Sequence, residues 1–243
     1  MKYVFVLLAA GCLLSAVHAQ WLETTIQLDS GAAPYALCYN SQNNKVYCAD
    51  NGTRCVTVID GATNQVIATI TAGNHPCAFA YDLQDNKIYC ANYGLYAEPD
   101  STVTVIDGAT DSVLTTVTVG ASPCALCYNR QNNKVYCSVV GSIAVIDGAT
   151  DSIVATVERG VQSGELCYNP HDNKIYGSTF FPGAVTVVDG VSDSVITRVG
   201  ADTGAGALCY APQDDKVYCA NYECLSVTVI SGVSDSVIAT VGR

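Results

Sequence analysis

The sequence predicts an all-β fold, a β-propeller of five four-stranded blades, from three observations. A segment with the pattern of residues 125–157 recurs five times along the chain. Its copies consist of short runs rich in Val, Ile and Tyr, with no helical period after the first 20 residues. The steps between copies are 42, 47, 40 and 42 residues, measured between the tyrosine anchors Tyr39, Tyr81, Tyr128, Tyr168 and Tyr210. A fixed period of this length is typical of a propeller or a solenoid.

Each repeat is predicted to contain four antiparallel strands, which read PxALCYN, NKVYC, VTVID and SVIATV in chain order. In the first repeat, the asparagines of turn 40–45 tolerate positive φ, and in turn 60–64 an aspartate caps the turn beside a glycine. Successive residues such as Val46 and Tyr47 face opposite sides of a strand, and both sides are apolar. Such a sheet needs a neighbour on each face, which radial stacking of blades supplies.

Two motifs within the repeats resemble a known family. Tyr-Cys-Ala-Asn at 89–92 and 218–221 occupies the place of a Tyr-Val-Thr-Asn signature, and VTVIDGAT at 56–63 and 103–110 matches the second half of the same repeat. The chain therefore resembles the YVTN (YncE-like) β-propeller repeat family over nearly all of its length after the leader. The resemblance implies a propeller and export. Cysteine replaces the signature valine in four copies, and five copies stand where the family commonly closes with seven blades.

The first 19 residues are predicted to be a signal peptide. One lysine precedes an apolar stretch, and Val17-His18-Ala19 provides a small-residue cleavage pattern. The alternative is lipoprotein processing at Cys12, but the apolar segment continues beyond that cysteine. We therefore expect export to the periplasm, the cell surface or the medium, without membrane insertion after cleavage.

The mature region, 20–243, is predicted to form one propeller domain. Residues 21–28 resemble the fourth strand of a copy and are predicted to form a leading strand. The complete repeats start near residues 34, 76, 123, 163 and 205. Because the last repeat already has its own fourth strand, three arrangements stay open: a closed ring of five blades, which we favour, an open arc of a larger ring, and edge-to-edge self-association of arcs.

Composition excludes one class of partner. The formal net charge is −11, and the 11 Lys and Arg residues are scattered along the chain. An acidic surface without a basic patch repels nucleic acid. We expect no nucleic-acid partner.

The candidate ligand face is the end of the blades whose connections differ from copy to copy, because irregular loops on a regular scaffold are typical binding sites. The largest irregularity is the insertion 93–101, predicted to be a loop with two tyrosines and two carboxylates suited to a sugar or peptide. The candidate ligand-binding residues on this face are Arg54, His75, Tyr93, Tyr96, Glu98, Asp100, Glu165, Phe180, Phe181, Tyr222 and Glu223.

The leading functional hypothesis is an exported, non-enzymatic binding or cell-surface interaction module with an unknown protein, peptide or glycan ligand. One alternative is a hydrolytic, lactonase-like propeller with a carboxylate-held metal, for which only Glu165 is a candidate acid at the channel mouth. Another is a structural surface repeat.

We expect no cofactor and no metal centre. Aspartates such as Asp107 and Asp111 stand four residues apart, but turn geometry explains them better than calcium does. The mature chain has only His75 and His171, too few for a centre built on histidines.

Twelve of the 13 cysteines lie in the mature region. Three pairs share a ten-residue separation across the first hairpin of a repeat: Cys38 and Cys48, Cys127 and Cys137, Cys209 and Cys219. If Tyr39 faces Tyr47, these pairs are directly opposed and candidates for cross-strand disulfides. The alternative is that cysteine serves as a small apolar filler between blades.

Overall fold

A computed structural model of the protein describes residues 24–95, 98–159 and 164–242, with only the backbone at Glu98. The predicted signal peptide and residues 21–23 of the predicted leading strand lie outside the described residues. The strands of the described residues are β1 (Pro34–Asn40), β2 (Lys45–Asp50), β3 (Cys55–Asp60), β4 (Val66–Thr71), β5 (Pro76–Asp82), β6 (Lys87–Leu95), β7 (Glu98–Asp107), β8 (Ser112–Thr118), β9 (Ala125–Asn129), β10 (Lys134–Val139), β11 (Ser142–Asp147), β12 (Ser152–Glu158), β13 (Leu166–Asn169), β14 (Lys174–Thr179), β15 (Ala184–Asp189), β16 (Ser194–Gly200), β17 (Ala205–Ala211), β18 (Lys216–Asn221), β19 (Ser226–Ser231) and β20 (Val237–Gly242).

Each set of four consecutive strands forms one antiparallel sheet, in which chain neighbours are also sheet neighbours. These sheets are blades 1 to 5 in chain order, so the predicted architecture of five four-stranded blades is confirmed. The first strands of successive blades contact one another, which places β1, β5, β9, β13 and β17 along the inner side. None of the described residues belongs to a helix long and apolar enough to cross a bilayer.

The turns of each blade are held by their own polar side chains, as the sequence predicts. In blade 1, Asn44 has φ of +55°, a left-handed conformation that asparagine tolerates better than most residues. In the outer turn, the Oδ1 atom of Asp60 accepts the backbone N–H of Thr63 at 2.7 Å and its hydroxyl at 2.8 Å. The Thr63 contacts lower the pKa of Asp60. These carboxylates therefore act as turn caps.

Neighbouring blades pack through large apolar side chains. At the junction of blades 1 and 2, Tyr47 and Val58 contact Ile88 and Ile106. Equivalent clusters join blades 2 and 3, 3 and 4, and 4 and 5. In blades 1 to 4, the tyrosine of the second strand is completely buried in these junctions: Tyr47, Tyr89, Tyr136 and Tyr176.

A polar contact that the sequence analysis missed accompanies this packing. Asp111, in the outer turn of blade 2, accepts hydrogen bonds from the Lys45 ammonium and the Tyr47 hydroxyl of blade 1, both at 2.7 Å. The same trio recurs at the other junctions as Lys87, Tyr89 and Asp151; Lys134, Tyr136 and Asp193; and Lys174, Tyr176 and Asp235. Each aspartate therefore links a turn of one blade to a buried tyrosine of the preceding blade.

The five blades form an open arc, so the favoured closed ring is wrong. Within the described residues, blade 5 (β17–β20) does not pack against blade 1 (β1–β4) in the way that neighbouring blades pack against each other. On the face of blade 1 that has no neighbouring blade, its free face, Leu37 is 70% exposed. On the free face of blade 5, Cys209 and Val241 are exposed, and Tyr218 is only partly buried.

The sequence departs from the repeat at both ends of the arc. Asn64 stands in blade 1 where the later blades carry the aspartate of the trio. In blade 1, the Asn40 amide donates to Asn86 of blade 2 at 2.7 Å. The equivalent residue of blade 5 is Ala211, which has no amide group in its side chain. Lys216, at the lysine position of the trio, lies 3.9 Å from Asp214 of its own turn. The end faces thus lack parts of the junction chemistry.

The predicted leading strand is not formed in its described part, because residues 24–29 have no strand structure. Gln27, Leu28 and Asp29 line one small cavity together with Thr57 and Thr69 of blade 1. Both threonines lie on the free face, on the same side of the sheet as Leu37, because Thr57 pairs with Cys48 and with Thr69. The segment therefore runs along the outer part of that face.

The disulfide prediction is wrong, because the first hairpin has a different register. Asn40 pairs with Lys45 across a four-residue turn, so Cys38 is opposite Tyr47, and Cys48 is opposite Leu37. A ten-residue separation therefore places two cysteines on opposite faces of the blade. The same register places Cys127 and Cys137 on opposite faces of blade 3, and Cys209 and Cys219 on opposite faces of blade 5. All described cysteines are free thiols.

Candidate functional site

The candidate site is a cavity of about 380 Å³ at the irregular end of blades 1 to 3. Its lining residues come from the first strands, from turns and connections at this end, and from the extended hairpin of blade 2. They are Tyr35, Asn51, His75, Cys77, Tyr93, Leu95 and Cys124. The structure thus brings together two of the predicted residues, His75 and Tyr93, on the predicted face.

The insertion of blade 2 is a hairpin extension, whereas the sequence predicted a loop. Strands β6 and β7 continue past the edge of the other blades, and Gly94 pairs with Pro99. The backbone N–H of Tyr93 also donates to the His75 carbonyl at 3.0 Å, and that of Gly94 donates to the Asn74 carbonyl at 2.9 Å. This backbone pairing fixes Tyr93 beside His75.

Asp100 supports the wall of the cavity. Its carboxylate accepts the backbone N–H of Asn74 at 2.7 Å and the hydroxyl of Thr102 at 2.6 Å. These bonds tie the connection between blades 1 and 2 to strand β7. The structure therefore gives this predicted ligand-binding residue a positioning role. Tyr96 and the side chain of Glu98 lie outside the described residues.

His75 lines the cavity and has an unusual conformation and hydrogen bonding. Its φ is +52°, an uncommon conformation for a residue with a Cβ atom. The Nδ1 atom is buried and has no hydrogen-bond partner among the described residues. Buried polar atoms are normally paired, so an unpaired ring nitrogen beside an open cavity is suited to a ligand hydroxyl or amide.

One of the two thiols of the cavity, that of Cys77, is not suited to nucleophilic chemistry. The Cys77 Sγ atom lies 3.5 Å from the Pro123 carbonyl, and the Cys124 Sγ atom lies 3.6 Å from the Ser138 hydroxyl. Burial, and to a smaller extent electrostatic repulsion from the neighbouring Cys124, raises the pKa of Cys77 to about 12. Because the thiolate is the nucleophile, Cys77 remains inert near neutral pH.

The other predicted residues lie outside this cavity. Glu165 precedes β13 and is exposed, although partial withdrawal of its carboxyl from water raises its pKa. The Phe180 and Phe181 rings contact each other edge to face in the turn of blade 4, with centroids 4.9 Å apart. Arg54 lies in a turn of blade 1, and Tyr222 and Glu223 lie in a turn of blade 5.

Sequence reasoning missed Tyr35, Asn51, Cys77, Leu95 and Cys124 as cavity residues. A local signal existed for three of them. Tyr35, Cys77 and Cys124 each follow the proline near the start of a repeat, where the copies differ. Asn51 and Leu95 had no such signal. Leu95 belongs to the extension of β6, and the Asn51 amide donates to the Pro76 carbonyl of the next blade at 3.3 Å.

Comparison with known proteins supports the fold only. No protein-family model and no curated protein matches the sequence. Among solved structures, the chain is similar to one described as Kuenenia stuttgartiensis hydrazine synthase, with a TM-score of 0.71 and 16% sequence identity. The match covers 87% of this chain and 66% of that chain. At this identity the likeness shows the propeller architecture and carries no activity across.

Proposed function

We propose that the protein is an exported, non-enzymatic propeller of the YVTN type that binds a peptide or glycan in the cavity of blades 1 to 3. The observation that carries the proposal is that His75, whose Nδ1 atom has no hydrogen-bond partner among the described residues, lines a cavity together with Tyr35 and Tyr93. Aromatic rings stack on sugar or peptide groups, while the imidazole and the Asn51 amide fix their orientation. The leader-like residues 1–19 support export.

The hydrolytic alternative has less support at this site. A carboxylate-held metal needs convergent acids, and the described side chains that line the cavity include no aspartate or glutamate. Asp100 is committed to hydrogen bonds with the neighbouring connection. We therefore propose recognition rather than turnover.

Binding of the purified protein to an array of oligosaccharides and short peptides tests the proposal. We expect His75→Asn, which keeps a residue that tolerates positive φ, and Tyr93→Ala each to weaken binding by about tenfold or more. Tyr222→Ala is the matched control, because this tyrosine is 78% exposed at blade 5, away from the cavity. Equal binding by all three variants would exclude the cavity as the site.

A further inference from the structure

A second group of chemically active side chains lies where the first turns of blades 4 and 5 meet, at the end opposite the cavity. His171, Asp172 and Asp215 bring one imidazole nitrogen and two carboxylate oxygens within 4.8 Å of one another. The Nδ1 atom of His171 is 2.8 Å from Asp172 Oδ1 and 3.9 Å from Asp215 Oδ2. The His171 side chain is 68% exposed, so the ring is accessible from solvent.

The equivalent junction of blades 2 and 3 shows what is unusual here. There, Asp85 accepts a hydrogen bond from the Asn133 amide at 2.8 Å. At the junction of blades 4 and 5, Asp172 takes the place of Asp85, and Asp215 takes the place of Asn133. A donor is thus replaced by an acceptor, and two carboxylates face each other.

Neither carboxylate is fully satisfied. Asp172 Oδ2 and Asp215 Oδ2 are buried atoms without a hydrogen-bond donor among the described residues. The nearest ammonium, Lys174 Nζ, lies 3.9 Å from Asp172 Oδ2 and is bonded to Asp235 at 2.8 Å. Buried carboxylate oxygens without donors are costly unless a cation accompanies them.

The surrounding side chains orient Asp215 toward this point. The Asn169 amide donates to Asp215 Oδ1 at 2.9 Å, and the Tyr210 hydroxyl donates to the same atom at 3.1 Å. Both bonds occupy one oxygen and leave Oδ2 available. Such partners behind a ligand are typical of metal centres, where they fix its direction.

We propose that His171, Asp172 and Asp215 bind a first-row divalent cation of the zinc class. One imidazole nitrogen and two carboxylate oxygens suit Zn²⁺, whereas calcium prefers six to eight oxygens. Two ligands on one zinc ion are about 3.4 Å apart, a spacing that small side-chain rotations reach from the present distances. Metal entry displaces the Nδ1 proton of His171 to solvent when that proton is present.

The site adjoins a groove of about 430 Å³ lined by Tyr128, Arg130, Tyr168, Pro170, Tyr210 and Pro212. Pro170 directly precedes His171, and Tyr210 bonds Asp215. Three protein ligands leave a coordination position for water or for a donor group of a molecule in the groove. This site is independent of the cavity at the irregular end.

Metal titration of the purified protein with ZnCl₂ and MnCl₂ tests the proposal. We expect Asp215→Asn and His171→Gln, which restore the residues of the equivalent turns in other blades, to lose at least about 100-fold in zinc affinity, since even residues that only hold a metal ligand in place contribute about 10–100-fold. Asparagine also retains the left-handed conformation of Asp215, whose φ is +48°. Asp85→Asn is the matched control and should bind as the wild type does.

Manganese separates this site from the cysteines, because it prefers oxygen and nitrogen donors to thiolates. Mn²⁺ should broaden the imidazole NMR signals of His171 and leave those of His75 sharp. The triple variant Gln131→His, Asn132→Asp and Asn173→Asp should add a second site between blades 3 and 4. Unchanged zinc affinity in Asp215→Asn and His171→Gln, or equal broadening of both histidines, would overturn the proposal.

Discussion

The four internal junctions and the two end faces of the arc contain the same repeat in different surroundings. At an internal junction such as that of blades 3 and 4, Tyr136 is completely buried and donates to Asp193 at 2.6 Å. On the free face of blade 5, the equivalent Tyr218 is partly exposed, and no partner for its hydroxyl lies within the described residues. The tyrosine is therefore buried and hydrogen-bonded by the blade that follows its own, because the strand that carries it is nearly the same in both places.

Removal of a junction carboxylate should have the largest effect. Asp193→Ala leaves the Lys134 ammonium and the Tyr136 hydroxyl without their acceptor, so we expect a loss of about 3 kcal/mol in the free energy of unfolding. Urea unfolding followed by circular dichroism measures it. Lys216→Ala, at the exposed counterpart of Lys134, should change stability by less than about 0.5 kcal/mol. Similar losses in both variants would contradict the comparison.

Thiol reactivity should distinguish the two kinds of face without mutation. Cys209 is exposed on the free face of blade 5, whereas Cys38 and Cys167, at the same repeat position, are covered by the next blade. Burial raises the pKa of Cys38 and of Cys167 to about 11. We expect Cys209 to react with iodoacetamide at pH 8 at least about 100-fold faster. Peptide mass spectrometry after timed quenching gives the rates.

Removal of a tyrosine hydroxyl should give a smaller difference in stability between an internal junction and an end face. Tyr136→Phe removes one hydrogen bond to a charged acceptor, so we expect a loss of about 1.5 kcal/mol in unfolding free energy. Tyr218→Phe should be neutral within about 0.5 kcal/mol, because its hydroxyl makes no comparable bond. Thermal unfolding of both variants checks this pair. A neutral Tyr136→Phe would show that packing alone secures the junction.

Substitution of a turn aspartate should have the smallest effect on stability, and the size of this effect depends on pH. Hydrogen bonds from Thr150 lower the pKa of Asp147 below its ordinary value. A lowered pKa contributes stability that is present above the unfolded-state pKa of about 4 and is lost as the pH falls through the folded-state value. Asp147→Asn should therefore shrink the loss of stability below about pH 4. Urea midpoints measured at pH 3 and pH 7 test this.

The cavity and the cysteines show where sequence reasoning stops. The repeat predicted the irregular end and placed His75 and Tyr93 on it, because loop variation between copies can be read from the chain. It did not predict Asn51 or Leu95, because Leu95 lies on the extended hairpin of blade 2 and the Asn51 amide bonds the Pro76 carbonyl of another blade. The disulfide prediction depended on hairpin register, and a one-residue change in register placed the two cysteines of a pair on opposite faces of the blade.

The sequence by itself determined the number of blades, the four strands in each and the residues of their turns. These features depend on alternation of side chains and on backbone preferences such as the positive φ of Asn44, and both act over a few residues. Only the tertiary structure decided which residues meet across blades, because Lys134 and Asp193 are far apart in the chain. It also decided that the arc stays open, since contact between the first and last blades depends on packing across all the junctions and not on any single repeat.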